Sequence, residues 1–323
     1  MTWSPDASRL VGCPHGCTTT ISFKDQTPDA AMHWPSRRFS LRARFRFDKP
    51  GRAAAGPIKA IVGGSTLAVM ALSTARGTAV PTRTASVPVS LRQVMPVPVS
   101  AAQMARLPVA TTFGRLRGAP QDSDPFQPGN GLMTHPTVEQ VVYTRPGGRP
   151  VAVLPTTELR NPTWVPVVQT QPGWERVLLP SRPNRSTGWV YVGGGGLRNA
   201  HSAYRVHVWL NTHRLTVFDA GRRLGSWSVA VGAPSTPTPT GRTFLLASLA
   251  PTHPTFSPLI LPLGAHSASL DTFGGGPGTV ALHGWPHKNV FGHAVSHGCV
   301  RVPSAALRVL TRIPLGSPVV ITI

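Results

Sequence analysis

The sequence predicts a mainly β protein, and three observations carry that reading. Proline (35) and glycine (32) are abundant while lysine, glutamate and glutamine are scarce, so helices have few formers and many breakers. From Val138 onward, short runs of alternating apolar and polar residues are divided by turn sequences. One segment alone, "PSAALRVLTRI" at 303–313, has helical spacing, with proline in its first turn and Ala306, Leu307 and Leu310 apolar.

Taken in chain order, residues 1–79 read as a leader. "PSRRFSLRARFRFDKPGR" is arginine-rich and ends in breakers, so it has little to bury. It is followed by Lys59, an apolar run from Ala60 to Leu72, and small residues to Ala79. That order of charge, short apolar stretch and small-residue exit is the pattern of a secretory signal, displaced here to 60–79. The expectation is export, to the cell wall or the periplasmic side of the cytoplasmic membrane, with the chain anchored or released. Residues 80–136, including "VPVSLRQVMPVPVS" and "GAPQDSDPFQPGNG", are expected to be an extended linker, because repeated proline forbids a continuous helix or a central strand.

Residues 137–198 hold five short β-runs broken at Pro-Gly-Gly, "QPGW" and "RPNRSTGW", which predicts a small barrel able to fold as an independent unit. This stretch resembles a bacterial SH3-like domain, most clearly in Trp164, Pro166, Trp174, Leu179-Pro180 and Trp189. The tryptophans are candidates for the core or for a ligand groove. After "GGGGLRNAHS", residues 204–323 form a second β-rich unit: three antiparallel strands, "STPTPTGRTFLL" as a turn entering a strand, the "TVALHG" strand, the one helix, and the closing strand "SPVVITI". The segment 250–276 between two strands is expected to be a lid over a cleft.

The formal charge of +21 is mostly arginine and is spread along the chain. A nucleic-acid binder would more often concentrate it in a stripe with interleaved aromatics, so nucleic acid is not an expected partner. A spread basic surface suits polyanionic surroundings. Three cysteines make no disulfide framework, and Cys13 and Cys17, with His15 between them, lack a second pair of metal ligands.

The remaining cysteine sits in "SHGCVRV", Ser296–Val302. A thiolate is the effective nucleophile, and a free thiol at neutral pH needs a neighbouring base. Only two carboxylates, Asp219 and Asp271, follow residue 203, and neither is in the motif, so the candidate bases are histidines. His297 is two residues from Cys299 and badly placed for proton transfer; His283 ends a strand and can approach from a neighbour. Gly298 lets the chain turn tightly before the cysteine, and amide groups of such a turn can form an oxyanion hole. Two other readings use the same residues. His283, His287, His293 and His297 could bind a metal if the intervening glycines and proline did not interrupt any helix. Cys299 could also be an inert small core residue.

"TPTGRTF", "VALHGWPHKNVFGHAVSHGCVRVPSAALRVL" and "PLGSPVVITI" together resemble the catalytic domain of the L,D-transpeptidases, the enzymes that cross-link cell walls. The likeness covers about residues 204–323. It implies a β-sandwich catalytic domain, with Cys299 as nucleophile, His283 as base and the Gly284 carbonyl fixing the ring's tautomer. Ser296, His297, Gly298 and Arg301 would shape the oxyanion and substrate side, although many members carry asparagine in place of Arg301. The implied partners are peptidoglycan stem peptides as donor and acceptor, with carbapenem β-lactams as covalent inhibitors and neither metal nor nucleotide as cofactor. Two alternatives are a cysteine L,D-carboxypeptidase acting on stem peptides, and an inactive wall-binding protein.

Overall fold

The computed structural model describes residues 93–253, 255–273 and 276–323. The leader, its signal-like segment at 60–79, the Cys13–Cys17 pair and the start of the linker lie outside the described residues.

The free linker expected over 80–136 is corrected from residue 93 onward. A capping box closes the single turn α1 (Ala101–Met104), with Ser100 and Gln103 exchanging hydrogen bonds. The chain then stays extended but bonds strand by strand to the sheet beside it. Ala110 N–H donates to the Val153 carbonyl at 2.8 Å, Leu116 to Arg182 at 2.7 Å, and Thr187 to the Pro120 carbonyl at 2.7 Å. Ala110 and Leu116 are fully buried. Proline removes donors from a ladder, yet an extended segment keeps enough isolated amides to dock on an edge.

The first sheet has seven strands: β1 (Leu132–Pro136), β2 (Gln140–Tyr143), β3 (Pro150–Leu154), β4 (Val165–Gln171), β5 (Trp174–Leu178), β6 (Thr187–Tyr191) and β7 (Leu197–His201). They lie in the order β3-β2-β6-β5-β4-β1-β7. The unit is therefore larger than the 137–198 barrel expected from sequence, since β1 and β7 complete one edge. Its core reaches further still: Leu116 enters from the preceding segment, and Phe244 and Leu246 enter from the next unit. A fragment cut at 138–198 would lack those three side chains of the cluster. Trp174 and Trp189 are buried with Tyr143, and Trp174 donates to the Val94 carbonyl at 2.7 Å; these two rings are core and not groove.

The second unit is two sheets around one core. The larger contains β8 (Tyr204–Trp209), β9 (Arg214–Asp219), β10 (Arg222–Ser228), β11 (Gly241–Phe244) and β16 (Pro318–Thr322). Its order is β10-β9-β8-β16-β11, with the closing strand β16 parallel to β8. The smaller contains β12 (Ile260–His266), β13 (Thr279–Gly284) and β15 (Val300–Val302), in that order. β14 (Ala294–Ser296) pairs with the short strand Val231–Gly232. Val206, Val208, Leu215 and Val217 face Leu261, Leu263, Leu282 and Val300 across the core, closed below by α2 (Ser304–Leu310). Ala306, Leu307 and Leu310 are the buried face of that helix, as their spacing predicts. The 250–276 lid expected from sequence is split, because β12 runs through its middle and leaves two flanking loops. Among the described residues no helix is long and apolar enough to cross a membrane.

The two units share a polar seam. Arg242 on β11 makes a bidentate pair with Asp122, at 3.0 and 2.7 Å. Asn184 Nδ2 donates to the His266 carbonyl and its Oδ1 accepts from His266 N–H, both at 2.8 Å. Thr112 Oγ1 lies 3.0 Å from His266 Nε2, whose ring also bonds the Thr112 carbonyl.

Candidate active site

β13 and β15 are parallel neighbours, and their register sets Leu282 beside Val300 and His283 beside Arg301. Cys299 precedes β15 by one residue, so the alternation of strands puts Cys299, Arg301 and His283 on one face. They can lie parallel because residues 285–299, which include β14, form a crossover between them and not a tight hairpin.

His283 is buried, and its Nδ1 lies 2.8 Å from the Gly284 carbonyl. A carbonyl only accepts, so Nδ1 carries the hydrogen and Nε2 is left as the basic nitrogen. Gly284 is in turn held by its own amide, which donates to Ser257 Oγ at 2.7 Å, while that hydroxyl donates to the Leu259 carbonyl at 2.6 Å. Phe256 stands edge-on to the imidazole, 4.8 Å between centroids, and Trp285 lies 6.0 Å away. This burial drives the His283 pKa down to about 4, the Gly284 bond opposing it and the Arg301 charge adding to it. Burial likewise pushes the half-buried Cys299 thiol up, while the Ala281 backbone and Arg301 pull it back. The resting pair is therefore a neutral thiol and a neutral imidazole.

The turn before Cys299 is over-determined. Gly298 has φ +110°, a conformation open to glycine and costly to side chains. Ser296 Oγ accepts from Gly298 N–H at 3.1 Å and donates to the Cys299 carbonyl at 2.5 Å. Thr236 Oγ1 donates to the Ser296 carbonyl at 2.9 Å, and Thr238 Oγ1 to the Gly298 carbonyl at 2.8 Å. Ser296 and Gly298, expected to meet substrate, are thus spent on the turn: the serine is buried and the glycine amide is already engaged. His297 points outward, is exposed, and rests 5.3 Å from the Phe273 ring. His287 and His293 are exposed on loops, and among the described residues no three metal-binding side chains converge, so the histidine spacing does not make a metal site.

Arg301 lies with its guanidinium carbon 3.7 Å above the Trp285 ring. Its backbone is gripped on the other side by Ala230, through two bonds of 3.0 and 2.9 Å. Its buried Nε has no partner, and among the described residues no carboxylate pairs with it.

Cys299 and His283 open onto one cavity of about 110 Å³. Phe256 and Phe273, from the loops on either side of β12, form two of its walls.

A family model of the L,D-transpeptidase catalytic domain, of the YkuD kind, matches residues 203–321. A Bacillus licheniformis protein named L,D-transpeptidase YkuD is 30% identical over 153 residues, which is 46% of this chain and 86% of that protein. The chain belongs to the L,D-transpeptidase family. Solved L,D-transpeptidases similar to part of it include one from Mycobacterium smegmatis, 17% identical, covering 49% of this chain and 98% of that one, with a TM-score of 0.32. Another is L,D-transpeptidase 3 from Mycobacterium tuberculosis, solved with a faropenem-derived adduct, 16% identical over 44% of this chain and 75% of that one, TM-score 0.32.

Sequence reading named Cys299, His283, Gly284 and Arg301, and the strand pairing of this transpeptidase gathers those four. It missed Ser257, Trp285, Thr236 and Thr238. Trp285 had a signal in its place directly after His283-Gly284; Ser257 had none, because it reaches Gly284 only through the fold.

Proposed function

We propose that this L,D-transpeptidase works through a cysteine acyl-enzyme and joins peptidoglycan stems by 3→3 cross-links. The observation that carries the reading is the His283–Gly284 bond, which leaves a free imidazole nitrogen in the cavity that also holds Cys299. His283 Nε2 takes the thiol proton as the sulfur attacks the carbonyl of the third residue of a donor tetrapeptide. The C–N bond to the terminal D-alanine breaks, and the same proton goes to the leaving amine. The side-chain amine of a second stem then attacks the thioester, returns the thiol and leaves the cross-link. A neutral resting pair suits this sequence, because the base is unprotonated at working pH and the thiolate exists only while it attacks. Arg301 faces the sulfur and stabilises the charge that appears on it.

Carbapenems acylate the same sulfur in this reading. The chain acts at the cell wall after export, and its first sheet serves as an SH3-like module packed on the catalytic unit. Incubation with a tetrapeptide donor and a second stem, followed by mass spectrometry, tests the proposal. Cross-linked dimers and a donor-acylated Cys299 peptide are expected. Tripeptides alone would make the enzyme a carboxypeptidase, and an unmodified Cys299 would make it a binding protein.

A further inference from the structure

One wall of the catalytic cavity does not come from the catalytic unit. Thr112, from the extended segment before β1, and Leu159, from the loop after β3, line it with Leu249, Phe256, Phe273 and Cys299. Leu159 is delivered by a small hairpin, Thr157–Glu158 paired with Asn161–Pro162. Its two turn residues, Leu159 and Arg160, both have positive φ, 47° and 61°. Large side chains seldom hold that conformation, and an isolated hairpin with two of them would relax.

The surroundings prevent relaxation. Asn161 Nδ2 donates to the Leu159 carbonyl at 2.8 Å, and its Oδ1 accepts from Ser248 N–H of the catalytic unit at 3.3 Å. Glu158 is buried and accepts from Thr112 N–H at 2.8 Å. Thr112 Oγ1 is 2.5 Å from Thr279 Oγ1 on β13, the strand that carries His283. The hairpin is clamped so that a leucine faces the nucleophile.

We infer that Leu159 is a specificity-determining residue, closing an aliphatic subsite for the side chain of the donor residue whose carbonyl Cys299 attacks. This rests on the reading under Proposed function. A carbonyl at the sulfur places the substituents of its α-carbon in this cavity. Its other walls are Leu249, Phe256, Ile260, Pro262 and Phe273, and the one ionisable side chain besides Cys299 that lines it is His283. A charged group has nothing there to pair with, so the first carbons of the substituent must be apolar and any charge must lie beyond them. About 110 Å³ is somewhat less than the roughly 150 Å³ that holds benzene, and it suits a short methylene chain.

The test is alkylation of the full chain by N-methylmaleimide and N-cyclohexylmaleimide, read at the Cys299 peptide by mass spectrometry so that Cys13 and Cys17 do not contribute. L159A is expected to raise the cyclohexyl-to-methyl rate ratio about tenfold and L159F to lower it, in step with the usual discrimination of a pocket by a few carbons. Exposed Leu224 on β10, changed to alanine, should leave the ratio at the parent value. In the tetrapeptide assay L159A should raise KM with little change in kcat, and L159M should restore it. Folded L159A and L159F with the parental ratio would overturn the inference, whatever the turnover. A shifted ratio in a protein that neither turns over tetrapeptide nor acylates would uphold the subsite and sink the transpeptidase mechanism.

Discussion

Arg242 is buried and Arg301 is half-buried, and their charges are treated in opposite ways. Arg242, in the seam, has a side chain 4% exposed against an Asp122 side chain 1% exposed, with both oxygens of the carboxylate engaged. Arg301, beside Cys299, has an aromatic face under it, an unbonded Nε and, among the described residues, no carboxylate partner. Its burial lowers its pKa and the nearby Cys299 opposes that. A buried charge with its partner in place holds two surfaces together. A charge left without one is available to an anion that forms only during reaction.

The strongest break in that contrast is to remove the anion. Cys299→Ser should take turnover below detection, since a hydroxyl has a far higher pKa and its neighbour is a weak base. His283→Ala should cost at least roughly a hundredfold in kcat/KM. His297→Ala should cost far less than His283→Ala, because that ring faces solvent; a comparable loss would mean the exposed histidine carries the proton. Next comes the seam. Asp122→Asn leaves Arg242 buried and unpaired and should lower unfolding free energy by about 3–5 kcal/mol in urea titration. Changing both residues to apolar ones should recover most of it. Arg301→Gln sharpens the comparison directly: acylation by a carbapenem should slow about tenfold or more while the urea midpoint stays put or rises. A stability loss like that of Asp122→Asn would show that both arginines are structural.

Smaller effects follow from pH. With His283 near 4, the base is neutral above about pH 5, so kcat/KM should be flat from there to 8 and fall only as pH approaches 4. Burial raises Glu158 from its ordinary value to about 7, the Thr112 amide opposing it. A raised folded-state carboxyl supports the fold fully below about 4.5, and that support is lost as pH rises through 7. Glu158→Gln keeps the acceptor for Thr112 without the ionisation. Its melting curve should match the parent at pH 5 and lie above it at pH 8 by roughly 1–3 kcal/mol; matching curves at both values would place the titration elsewhere.

What could be read from sequence was what is local. The period-two strands, the face of α2, and the spacing of His283 from Cys299 are all set within short windows. The proline-rich stretch was misread because composition reports which ladders cannot form, and says nothing of an extended chain docking amide by amide, as Ala110 and Leu116 do. Ser257 and Leu159 were invisible for the same reason. Each matters through a neighbour more than twenty residues away in the chain, and nothing in the immediate sequence of either marks that neighbour.

Phe244 and Leu246 belong to the second unit by chain order and to the first by packing. During synthesis the seven-strand sheet emerges about forty-five residues before its last core side chains do. Until they arrive, the core they share with Leu154, Leu179 and Val190 is incomplete. Any truncated form ending before residue 244 would lack both side chains, and it should aggregate more readily than a chain that carries them.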